Sequence, residues 1–103
     1  QVESSRITLV NVPAFEVELE YNKDHAMLHL PRVTKYSKTV FEQMVVYTRN
    51  LWLMLTTMGY EDLLVGVAVD DLKTSKLVLQ LGFEPYNTND GYTFYFYKDT
   101  FNA

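Results

Sequence analysis

His29 is the first side chain in this sequence to weigh as a chemical group. It lies on the strand-like run His25-Ala26-Met27-Leu28-His29-Leu30, four residues after His25 and on the same strand face. Imidazole is the only group there whose ordinary pKa falls near neutrality, so His29 is the candidate general base, although a polar-edge or hydrogen-bonded histidine is the simpler reading. The two histidines do not make a metal site, because no third ligand has suitable spacing and the chain has no cysteine. A second cluster follows directly. Arg32, Thr34, Lys35, Ser37 and Lys38 put three cations and two hydroxyls just ahead of a helical segment. The amides and dipole of a helix start could complete such a cluster as a phosphate site. The simpler reading is a solvated basic loop. Glu16, Glu18 and Glu20 could attract an amine, although their strict alternation is more simply a solvated sheet face. No Ser/His/Asp arrangement, phosphate-binding loop or dinucleotide fingerprint is present.

The elements that must position these groups follow from periodicity. Ile7 to Val12 reads as a strand stopped by Pro13. Phe15 to Tyr21 alternates apolar and acidic residues as a half-buried strand, and the polar turn Asn22-Lys23-Asp24 leads into the third strand, ended at Pro31. Thr39 and Glu42 form a capping-box pattern that opens a long helix closed by Gly59. On that helix Phe41, Met44, Val45, Thr48, Leu51, Trp52, Leu55 and Met58 recur at helical spacing and predict the buried stripe. Val46, Leu53 and Met54 fall off the stripe and predict either a second buried face or a face that meets a partner. Leu63 to Val69 lacks alternation, which predicts a central strand buried on both faces. A short helix spans about 72–81, and Phe83 to Tyr86 is edge-like. Asn89-Asp90-Gly91 then predicts a hairpin into the aromatic strand Tyr92 to Tyr97, whose tyrosines read, with Tyr86, as core or sheet-face aromatics.

One stretch carries a resemblance. Gly59-Tyr60 at a helix end, the apolar run Leu63 to Val69, the turn Asp70-Asp71 and a helix closed by Leu81-Gly82-Phe83-Glu84 resemble the C-terminal half of GNAT-type N-acetyltransferases. In that family an Asn stands eleven residues before the Gly of the Leu-Gly-Phe-Glu segment, and here Asp71 holds the matching position. The resemblance implies an α+β fold. Its sheet would be mixed and mostly antiparallel, of about six strands, with one long and one short helix and without the helices that precede the second strand in the family. It implies acetyl-CoA as the cofactor of an active member; Asp71 holds the position of the family's Asn, and Arg32, Lys35, Ser37 and Lys38 could supply only a substitute for its phosphate loop. Three glycine positions of the family's pyrophosphate loop fall on Val40, Glu42 and Met44. The position of its general-acid tyrosine falls on Val78, which cannot transfer a proton. The expectation is therefore a catalytically degenerate GNAT-like domain, without cofactor, acting as a structural or protein-interaction module. The alternative is a minimal acetyl-CoA-dependent N-acetyltransferase with a noncanonical phosphate loop. Small phage acetyltransferase-like proteins, some of them virion components, look similar, which adds a phage origin to the expectation.

Composition bounds the remainder. The chain has 103 residues, read as one domain over 1–103, with 48% apolar residues and fourteen Phe and Tyr side chains. That is enough for a packed core. A net charge of -4 and the lack of a longer basic run argue against nucleic acid. No run approaches the ~20 apolar residues of a membrane helix, so the expected protein is soluble and cytoplasmic, or virion-associated if from a phage. Its expected partner is another protein or a second copy of itself. The chain opens on Gln1 and not on Met, consistent with a preceding segment.

Overall fold

The computed structural model describes residues 3–98. Within them the chain forms β1 (Ser5–Asn11), β2 (Phe15–Tyr21), β3 (Ala26–Val33), α1 (Lys38–Thr57), β4 (Leu63–Ala68), α2 (Leu72–Leu81), β5 (Phe83–Asn89) and β6 (Tyr92–Tyr97). The fold is α+β, a six-stranded sheet in the order β1-β2-β3-β4-β6-β5 with two helices. Every neighbouring pair is antiparallel except β3 and β4, which the α1 crossover makes parallel. The parallel ladder runs only from Ala26 and Leu63 to Leu28 and Val65, while both strands continue beyond it.

The alternation of β2 is realised: Phe15, Val17 and Leu19 are buried and the glutamates between them face the other way. β3 does not stop at Pro31. It continues to Val33, and Pro31 sits beside the β-bulge between Glu16 and Glu18, where its missing N–H is tolerated. The central strand also departs from expectation. Leu63, Val65 and Val67 are buried, but Leu64, Gly66 and Ala68 are only half-buried. Both helices contribute their apolar residues to one core with Leu63, Val65 and Val67, so among the described residues the opposite sheet face has only its own neighbours for cover. Over Gly66 that neighbour is the Phe94 ring, close enough that a Cβ would lie 3.0 Å from it.

The Thr39–Glu42 capping box does not form. Ser37 is the N-cap of α1, its Oγ accepting from the Val40 amide at 3.2 Å, while the Phe41 amide donates to the Ser37 carbonyl at 2.9 Å. Starting at Lys38 turns Val40 inward, and Val40, Met44, Thr48, Leu51 and Leu55 become the buried stripe. Phe41, Val45 and Trp52 pack at its margins, whereas Met58 lies past the helix end and is exposed. Asp71 caps α2, its Oδ1 accepting from the Thr74 amide at 3.1 Å. Gly82 ends α2 at φ 108°, the left-handed region that favours glycine, and its carbonyl accepts from Lys98. The hairpin forms as expected, with Asp90 and Gly91 both at positive φ in the manner of a type I′ turn.

Candidate functional site

The N-terminus of α1 and the flank of α2 enclose a cleft of about 490 Å³ lined by Lys35, Tyr36, Ser37, Lys38, Phe41 and Gln80, with Val40, Met44 and Leu77 at its apolar wall. Lys35, Ser37 and Lys38 are three of the residues expected to hold a cofactor. Lys73 of α2 does not line the cleft but stands next to it, its Nζ 5.6 Å from the ring of Tyr36. The cleft thus combines cations, the first amides of a long helix and an apolar wall, a chemistry suited to an anion with an apolar tail. Glu42 is exposed and lies beyond the first turn, so its carboxylate does not occupy those amides.

The other expected cofactor contacts are engaged elsewhere. The guanidinium of Arg32 donates to the Pro13 carbonyl at 2.8 Å and to Asn11 Oδ1 at 2.6 Å, pinning the β1–β2 connection. Thr34 Oγ1 donates to the same Pro13 carbonyl at 2.6 Å. Asp71 is committed to its cap. Val78, at the general-acid position, is fully buried.

His29 lies on the helix-free face of the sheet, opposite the cleft. Its Nε2 shares a 2.8 Å hydrogen bond with Glu20 Oε1, and Ser4 Oγ donates to Glu20 Oε2 at 2.8 Å. The hydrogen bond from Ser4, followed by that with His29, holds the Glu20 carboxyl below its ordinary value against a smaller desolvation effect. Arg6 Nε donates to Glu18 at 2.7 Å beside them. Glu20 sits between serine and histidine, so no histidine is placed to activate the hydroxyl. Beneath α1, Met44, Tyr47, Thr48 and Leu81 close over β2 and β3 and leave only about 10 Å³, about the least space a water needs. Burial there pushes the Tyr47 hydroxyl upward.

The same helix-free face becomes apolar towards β6, with Met27, Leu64, Phe94 and Phe96 half-buried and Tyr86 and Tyr92 exposed. Tyr95 and Tyr97 turn into the core. Val46, Leu53 and Met54 are exposed on the outer side of α1 at 59%, 38% and 49%. α2 adds Leu72 and Leu79, exposed and seven residues apart. Sequence reasoning missed Lys73 and Tyr36, because the whole of α1 separates them along the chain and no local pattern joins them. Among the described residues no helix is long and apolar enough to cross a membrane, and no group of acidic or histidine side chains converges as a metal site. No family model, curated protein or solved structure matches this chain.

Proposed function

We propose that this chain is a GNAT-like domain without the family's catalytic machinery, serving as a protein-interaction module. The observation that carries the reading is the separation of the candidate groups. His29 is engaged with Glu20 on one face of the sheet, while Lys35, Ser37 and Lys38 line a cleft on the other. A base and a cofactor that must act on one bond cannot be divided by a sheet. The support from the fold is coarse: the mixed, mostly antiparallel six-stranded sheet with one long and one short helix is the fold class that the Gly59–Glu84 resemblance implies. The contact surface is the outer side of α1, where Val46, Leu53 and Met54 are presented to solvent. Self-association is the test within reach. Sedimentation velocity is expected to show an assembly that Leu53→Asp disrupts while the thermal melt stays within a few degrees of the parent. A parent that is monomeric to millimolar concentration, or a Leu53→Asp chain that fails to fold, removes this surface from the proposal.

The cleft favours a second reading, an acetyl-CoA-dependent transferase with a noncanonical phosphate loop, because Lys35, Ser37 and Lys38 do gather at a helix start. Under the module reading, calorimetry with CoA gives no dissociation constant tighter than about 100 μM. Low-micromolar binding that Lys35→Ala with Lys38→Ala weakens, more strongly at low salt, restores the enzyme.

A further inference from the structure

We infer that the helix-free face carries a second contact site, a groove that takes an arginine or lysine side chain from a partner polypeptide. Two depressions of about 400 Å³ each meet at His25 and Leu64. Their apolar lining is Met27 and Leu64 with the rings of Tyr86 and Phe96, which pack at a centroid distance of 6.1 Å. The carboxylates of Asp24, Glu61 and Asp62 rim the second depression, and none has a side-chain hydrogen bond or ion pair among the described residues. Lys23, the cation next in sequence, lines a neighbouring depression instead.

The rim is held in place. Asn22 Oδ1 accepts from the amides of Asp24 and His25, both at 2.8 Å, and Tyr60 OH donates to the Asn22 carbonyl at 2.6 Å. Those bonds tie the β2–β3 turn to the segment leading into β4, and so keep three like charges on one rim where they repel. A cation relieves that repulsion. Among the described residues these side chains do not converge as a metal-ligating group. Guanidinium meets every feature: its fork donates to carboxylates, its plane stacks on Tyr86 or Phe96, and an apolar neighbour in the peptide covers Leu64 and Met27. The net charge of -4 draws such a partner in.

This site deepens the interaction-module reading but uses the side of the sheet opposite α1, so Leu53→Asp leaves it intact. The test titrates the isotope-labelled full chain with a blocked peptide alternating arginine and leucine, with a glutamate–leucine peptide as control. Amide shifts centred on Asp24, Glu61, Asp62, Leu64 and Tyr86 are expected. Asp24→Asn with Glu61→Gln and Asp62→Asn, exposed substitutions that keep side-chain shape, is expected to weaken binding about tenfold, as three partly exposed ion pairs would. Shifts centred elsewhere, equal shifts with the glutamate peptide, or unchanged affinity in the triple variant overturn the proposal. So does concentration-dependent self-association that the triple variant abolishes and Leu53→Asp does not, since the occupant is then a second copy.

Discussion

Leu63 and Leu64 are neighbours on β4 and meet different surroundings. Leu63 is wholly inaccessible, in one core with α1 and α2, whereas Leu64 is half-buried on the floor of an open groove. The same holds across the sheet, where Val17 and Leu28 meet the helices while Glu18 and His29 form a half-buried polar ladder. One face is held by apolar burial and shape, the other by cross-strand pairs and hydrogen bonds between exposed groups. Stability is therefore concentrated on the helix side, and the helix-free side is at liberty to carry recognition.

The sharpest way to break that comparison is to truncate the two leucines. Leu63→Ala is expected to cost about 3 kcal/mol, since it removes a fully enclosed side chain and leaves a cavity. Leu64→Ala is expected to cost about 1 kcal/mol or less, because the groove is already open to water. Urea unfolding of both variants measures the difference. Equal costs would mean that another body covers the helix-free face in solution.

A smaller effect tests how the covering layer is anchored. Ser37→Ala is expected to lose about 1 kcal/mol by removing the cap that Val40 uses, and Thr39→Ala a few tenths. The reverse order would put the helix start at Thr39, as the capping-box pattern suggests, and would turn Val40 away from the core.

That pattern shows where sequence and structure part. Strands whose two faces differ in polarity were legible to the residue, as Phe15 to Tyr21 was, because a period of two fixes the buried face. The extent of α2 was legible at about 72–81, but the role of Asp71 was not: read as a family contact position, it serves as the cap, while Gly82 ends the helix in the left-handed region. The start of α1 was not, since Ser37 and Thr39 are both good caps and the choice depends on whether Val40 is buried, a tertiary fact. The central strand misled for a related reason. Leu64 and Ala68 are apolar, yet the chain between residues 3 and 98 supplies no element to bury them. Of the expected site residues, Lys35, Ser37 and Lys38 adjoin in sequence and stay together in the cleft. Arg32 left them because β3 runs on past Pro31 and directs its guanidinium to the β1–β2 connection. The groove joins turns at Asp24 and Asp62 to a ring at Tyr86, and no local period links those three.

The smallest expected effect concerns the polar ladder itself. The Glu20 carboxyl is held below its ordinary value by Ser4 and then His29, so its folded form binds a proton less readily than its unfolded form. A depressed carboxyl contributes stability that is present above the unfolded pKa and is lost as pH falls through the folded one. Thermal melts of the parent and of Glu20→Gln are therefore expected to differ near neutral pH and to converge as pH drops through and below the ordinary carboxylate range. The difference should be slight, because the Glu20 side chain is 37% exposed and water screens the interaction. Added salt should shrink it further. A gap that stays constant from pH 7 to pH 2 would show that Glu20 acts by shape alone. A gap as large as that of Leu63→Ala would place real stability on the helix-free face and remove the asymmetry between the two sides of the sheet.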